Sequence, residues 1–148
     1  MKILVLNGPN INMLGIREPD IYGHTTYRDL VTDLESFAES QSLQIVCRQS
    51  NYEGQLVEWI QQALGEFDGI VINPAAYTHY SIAILDALKS VGLPAVEIHI
   101  SDIGSRESFR QISYPAMACI GQISGLGLDG YKVALDKLRQ YLTERGIR

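Results

Sequence analysis

Five short runs of mostly aliphatic residues recur along the chain: Ile3 to Leu6, Leu43 to Cys47, Gly69 to Ile72, Ala95 to Ile98 and Ala118 to Ile123. Short apolar runs bounded by polar turns read as strands covered on both faces. The segments between them carry a helical period. Leu30, Val31, Leu34, Phe37 and Ala38 follow a Thr26-x-x-Asp29 capping box, and Leu56, Val57, Ile60, Ala63 and Leu64 repeat the pattern. Tyr80 to Lys89 carries Ile82, Leu85 and Leu88 and stops at Gly92 with Pro94 beyond. Tyr131, Ala134, Leu135, Leu138 and Leu142 form a last stripe. A short helical turn is expected near Glu107 to Gln111.

Alternating strand and helix with no repeat or low-complexity linker predicts a single α/β domain over residues 1–148: a parallel five-stranded sheet with helices on both faces. For five strands the flavodoxin-like three-layer sandwich, order 2-1-3-4-5, is the leading arrangement. Its topological switch point falls between strands 1 and 3, where ligands bind outside the carboxyl ends. That places Gly8 to Asn10 and Pro74 to His79 at one edge, with His99 next door. The connection from Gly8 to about Thr25 is longer than a structureless loop ordinarily is. It contains Gly15 and Gly23, and it reads as a lid rising from that edge.

Charge and composition narrow the chemistry. Twelve Lys/Arg against 17 Asp/Glu give a net charge of −5 with no basic run, which argues against a nucleic-acid groove or an anionic membrane surface. No stretch approaches about 18 consecutive apolar residues, and the amino-terminal run turns polar at Asn7, too early for a signal peptide. A soluble cytoplasmic protein is expected. Cys47 and Cys119 lack zinc spacing and read as small buried hydrophobes in a reducing compartment. The three histidines show no metal-ligand spacing either, so neither a metal nor a cofactor is expected.

The candidate chemistry sits on the loops. Tyr22 alone reads as a loop tyrosine packing its ring, but Arg17 shares its loop, and a cation beside a phenol favours the tyrosinate, a competent general base. His99 follows Glu97 by two, so in a strand both side chains share a face and the carboxylate can orient the imidazole as a proton donor. Asn10, Asn73 and His79 are suited to donating hydrogen bonds to hydroxyls or to a developing oxyanion. Ser101 and the amides of Ile100 and Ser101 suit a carboxylate. Arg106 reads as a surface ion-pair partner, whereas Arg110, nearer strand 5, reaches a ligand. Gly125-Leu-Gly127-Leu-Asp-Gly130 matches a dinucleotide fingerprint, but no strand follows it to complete a βαβ unit. It reads as a close strand-to-helix turn.

These motifs together resemble the type II 3-dehydroquinate dehydratases over nearly the whole chain. The resemblance is carried by Leu6-Asn-Gly-Pro-Asn10, Leu14-Gly-Ile-Arg17-Glu-Pro-Asp-Ile-Tyr22-Gly23, Arg48-Gln-Ser50, Asn73-Pro-Ala-Ala-Tyr-Thr-His79, Glu97-Ile-His99-Ile-Ser101, Arg106-Glu-Ser-Phe-Arg110, and Gly125-Leu-Gly127 with Gly130-Tyr131. It implies a hydro-lyase that converts 3-dehydroquinate to 3-dehydroshikimate without metal, cofactor or Schiff base, in the shikimate pathway of aromatic biosynthesis or in quinate breakdown. By the same resemblance Tyr22 is the proton acceptor, Arg17 holds that tyrosine reactive, Asn10 serves the enolate oxygen and His99 protonates the departing hydroxyl. Asn73, His79 and Arg110 hold ring hydroxyls, and Ile100 and Ser101 cradle the carboxylate. Asp86 reaches a neighbouring subunit's site in a dodecamer built of four trimers. Asp102, Gly104 and Tyr80 depart from the family pattern, the first by adding charge near an anionic ligand and the second by loosening the loop to Arg110. The rival is a flavin- or nucleotide-binding module. It would need a phosphate loop after strand 1, where Gly8-Pro9-Asn10 offers one glycine and a proline lacking its N–H.

Overall fold

The computed structural model describes residues 1–16 and 19–147, with the backbone alone at Ile21 and Tyr22. In chain order the elements are β1 (Lys2–Asn7), a 3-10 turn (Ile11–Met13), α1 (Pro19–Tyr22), α2 (Tyr27–Ser40), β2 (Gln44–Gln49), α3 (Glu53–Gln62) and β3 (Gly69–Asn73). There follow a 3-10 turn (Ala75–His79), α4 (Ile82–Val91), β4 (Ala95–His99), three further 3-10 turns between residues 103 and 118, β5 (Gly121–Ser124), a last 3-10 turn (Gly127–Asp129) and α5 (Gly130–Glu144). The strands pair in parallel in the order β2-β1-β3-β4-β5, as the pattern predicts.

Strand alternation divides the core into two layers. Ile3, Val5, Val71, Val96 and Ile98 point to one face, beneath α2 (Leu30, Leu34, Ala38) and α5 (Tyr131, Ala134, Leu135, Leu138, Leu142). Leu4, Leu6, Ile70, Ile72 and Ala95 point to the other, beneath α3 (Leu56, Ile60) and α4 (Ile84, Leu88). Each of these large side chains is essentially buried, which stabilises the fold by about 1.5–3 kcal/mol apiece before conformational entropy is set against it. Cys47 and Cys119 are partly buried, each packed against one of the two layers.

Several boundaries differ from expectation, each for a local reason. β2 runs two residues past Cys47 because Arg48 and Gln49 pair with Leu6 and Asn7 of β1. β5 starts only at Gly121, since Pro115 fixes φ at the start of a helical turn over Pro115–Ala118. α4 starts at Ile82 and not at Tyr80: Ser81 Oγ accepts from the Ile84 amide at 3.0 Å and caps it. Gly92, at φ 63°, ends the helix. The turn expected near Glu107 to Gln111 contracts to Ser108–Arg110. Among the described residues no helix is long and apolar enough to cross a membrane.

The predicted lid is in part fixed. Ile11 and Leu14 are buried in the layer beneath α2 and α5, so the connection is anchored as far as Leu14. Beyond that it returns on itself: Gly15, at φ +80°, lies so close to the His24 carbonyl that a Cβ there would stand 2.7 Å from the oxygen. Gly15 and His24 therefore lie against each other at the base of the connection. Arg17 and Glu18 lie outside the described residues, as does the Tyr22 side chain.

Gly8 fixes how closely the first and third strands' loops approach. Its amide donates to the Asn73 carbonyl at 2.8 Å, and a Cβ at this position would lie 2.5 Å from the Pro74 carbonyl oxygen and 2.7 Å from its carbon. Both contacts are backbone and cannot rotate away. Gly8→Ala is expected to lower stability by about 1–3 kcal/mol, seen as a lower urea midpoint at unchanged m-value.

Candidate active site

The strands' carboxyl ends present a row of polar residues: Gln49, Asn7, Asn73, His99 and Ser124 along the sheet order. Above its centre lies a cavity of about 240 Å³, whose walls come from the loops after β1, β3 and β4. Asn10, Asn73, His79, His99, Ile100, Ser101, Arg106 and Arg110 all line it. The structure thus gathers these predicted residues at one place, with Arg106 beside them, while Arg17 and the Tyr22 side chain, predicted on the first of those loops, lie outside the described residues. Arg106 forms the ion pair expected of it, 3.8 Å from Glu107, but its side chain is only 20% exposed and also lines the cavity wall. The short 3-10 turn, rather than a helix, brings it there. Asp86 lies on the exposed face of α4 and is not among the residues lining this cavity.

Asn10 sits at φ 69°, a left-handed conformation that asparagine tolerates better than most residues. Its amide donates to Asn51 Oδ1 at 3.0 Å, while Gln49 Nε2 donates to the same Asn51 oxygen and to the Gly8 carbonyl. With Gly8 N bound to Asn73, Pro9 lacking an N–H and Ile11 N directed to the Gly8 carbonyl, the turn's amides are spent internally. No nest of amides remains to receive a phosphate. The glycine-rich turn after β5 behaves likewise. Gly125 N and Gly127 N donate to the carbonyls of His99 and Ile100, and a Cβ on Gly130 would meet Ile98 at 2.7 Å. It is the close strand-to-helix turn that the sequence predicts.

Asn73 is 3% exposed, and a buried amide of this kind needs partners. Its Nδ2 donates to Tyr131 Oη at 2.9 Å, and Tyr131 Oη donates to Asn7 Oδ1 at 2.6 Å. Burial pushes the Tyr131 phenol far up, so it stays a neutral donor. Asn73 Oδ1 accepts from the Ala75 amide at 3.1 Å and holds Ala75 at φ 52°, a strained position at the cavity wall. One Asn73 N–H is left to serve a ligand.

His79 Nδ1 lies 2.8 Å from the Ile112 carbonyl. A carbonyl only accepts, so Nδ1 carries the proton and Nε2 is an acceptor in the neutral ring. Burial holds His79 below the ordinary histidine range, and His99 and Arg110 lower it further, against the Ile112 carbonyl and Glu97. His79 Nε2 is therefore an acceptor in the neutral ring, where the sequence suggests a donor.

Glu97 and His99 share a face of β4, on the side covered by α3 and α4. Glu97 is 0% exposed, and His99 Nε2 bonds its Oε1. Nε2 being taken, Nδ1 is the nitrogen left for a ligand. Sequence reasoning missed Ser113, whose hydroxyl lies 2.9 and 2.8 Å from the two Glu97 oxygens. A serine in an irregular stretch between Arg110 and Pro115 carries no signal of what it will touch. Asp102 also differs from expectation: its carboxylate accepts from the Gly104 amide at 3.0 Å and caps that turn, and it is not among the cavity residues. Tyr80 is exposed and packs edge-on against Tyr77 at 5.6 Å.

The fold and site define an α/β enzyme for a small hydroxylated acid, with its acid–base groups at the switch point of a parallel sheet. The family model described as dehydroquinase class II matches residues 1–139. A 3-dehydroquinate dehydratase of Carboxydothermus hydrogenoformans is 55% identical over 98% of this chain and 94% of its own length. One of Deinococcus radiodurans is 50% identical over 95% and 99%. The crystal structure of the type II dehydroquinase from Butyrivibrio crossotus superposes with a TM-score of 0.92 at 52% identity, over 94% of this chain and 97% of that one. The chain belongs to the class II dehydroquinase family.

The Tyr131 bridge supports a stability test. Tyr131→Phe leaves the Asn73 donor and the Asn7 acceptor buried without their shared partner, a loss of about 1–3 kcal/mol in urea unfolding. The freed Asn73 amide should also raise KM more than it lowers kcat.

Proposed function

We propose that the chain removes water from 3-dehydroquinate to give 3-dehydroshikimate through an enolate, in the cytoplasm, without metal or cofactor. The observation that carries this reading is the His99 imidazole, held by a fully buried Glu97 at the wall of a cavity that also presents Asn10, His79, Arg106 and Arg110. No lysine among the described residues lines that cavity, as a Schiff-base route would require.

In this mechanism Tyr22, as tyrosinate, takes the proton α to the ketone, and the electron pair of that C–H bond moves into the enolate. Arg17 favours the ionised phenol and the developing negative charge. Asn10 donates to the enolate oxygen. The enolate then re-forms the ketone, expels the β-hydroxyl as the new double bond forms, and His99 Nδ1 supplies the proton that makes it water. The proton held by Tyr22 and the one lost by His99 re-equilibrate through solvent. Asn73, His79 and Arg110 hold ring hydroxyls, Ile100 and Ser101 receive the carboxylate, and Arg106 adds positive charge beside it. Asp86, on the outer face of α4, serves a neighbouring subunit in a dodecamer of four trimers.

A flavin or nucleotide module is disfavoured by the turn after β1, whose amides are already bonded within the protein. Product formation is followed by the ultraviolet absorbance of the conjugated enone. Tyr22→Phe is expected to lower kcat by about 10²- to 10⁴-fold with KM little changed, and wild-type turnover would exclude Tyr22 as the base. Arg17→Ala should reduce activity at neutral pH and move the acidic limb of the rate profile toward alkaline pH, since the phenol loses the cation that favours its ionised form. An unshifted limb would refute that electrostatic role.

A further inference from the structure

We propose that Ser113 is a positioning residue for the proton-donating step: its hydroxyl fixes the Glu97 carboxylate, and through it the His99 ring. The inference rests on His99 acting as the acid. Glu97 is fully buried, so its two oxygens must find donors within the protein. His99 Nε2 supplies one. Ser113 Oγ supplies the other, placed almost equally between Oε1 and Oε2 at 2.9 and 2.8 Å, while Gln122 Nε2 is distant at 3.5 Å. The direction of the serine hydrogen is itself fixed, because Oγ accepts from the Ala116 amide at 3.1 Å and so turns its own proton toward Glu97.

The segment that carries Ser113 is tied to the cavity at several points. The Tyr114 amide donates to the Thr78 carbonyl at 3.0 Å, the Ile112 carbonyl accepts from His79 Nδ1 at 2.8 Å, and Arg110 lines the cavity. Residues 110–114 thus orient both histidines, His79 through a carbonyl and His99 through a hydroxyl and a carboxylate. Without the serine hydroxyl the carboxylate can rotate about its terminal torsion, and the imidazole follows it. A donor displaced by about 1 Å loses about 10²-fold in rate.

The test separates the two chemical steps. In D₂O, deuterium entering the α position of recovered 3-dehydroquinate reports proton abstraction, and enone formation reports loss of water. Ser113→Ala should slow enone formation about 10- to 100-fold while wash-in continues, so the ratio of exchange to elimination rises at least several-fold. Ser113→Thr, which keeps the hydroxyl, should restore the wild-type ratio. His99→Gln serves as the reference and should raise the ratio further. If His99→Gln raises it and Ser113→Ala does not, or if Ser113→Ala slows both steps alike, the positioning role is overturned and the acid assignment stands. If His99→Gln leaves the ratio unchanged, the acid assignment fails and the role of Ser113 with it.

Discussion

A carboxylate cut off from water must be satisfied by the chain around it, and the burial of Glu97 imposes that demand on much of this structure. Its strand is covered on both faces, so the side chain enters an otherwise apolar layer beneath α3 and α4. The irregular stretch between β4 and β5 follows a path that brings Ser113 onto the two carboxylate oxygens, and the same path sets Arg106 and Arg110 at the cavity. An uncompensated buried charge would be strongly destabilising. One acidic residue on a central strand thus links the packing of the sheet to the arrangement of the site.

The cavity draws on both layers of the molecule. Asn7 and Asn73 belong by strand alternation to the face covered by α2 and α5 and are bridged there by Tyr131 of α5. Glu97 and His99 belong to the opposite face. The cavity therefore straddles the end of the sheet, with neutral amides supported from one core and the His99 imidazole supported from the other. The close approach of Gly8 to Pro74 fixes the spacing between the loops that meet in the middle.

Most of the architecture was legible in the sequence because it follows from local rules. The parallel sheet came from the alternation of apolar runs with amphipathic stripes, its order from the leading arrangement for five such strands, and the pairing of Glu97 with His99 from the two-residue period of a strand. The Thr26–Asp29 capping box forms as its spacing implies. What could not be read depends on long-range contact. Arg106 looked like a surface residue because its place on the cavity wall is set by successive 3-10 turns, which have no apolar period. His79 looked like a donor because nothing in the sequence says that the Ile112 carbonyl, 33 residues on, will take its Nδ1 proton. Ser113 was missed for the same reason, and Ser81 displaced the start of α4 because a cap outweighs the propensity of the residues before it.

The two cysteines carry a further consequence. Burial pushes both thiols up to about 12, and for Cys119 the nearby Glu97 charge adds to the effect. At neutral pH only about one thiol in 10⁵ is ionised, and the thiolate is the form that peroxides and alkylating agents attack. The carboxylate that holds His99 also disfavours the Cys119 thiolate, so one buried charge restrains the ionisation of the sulfur near it.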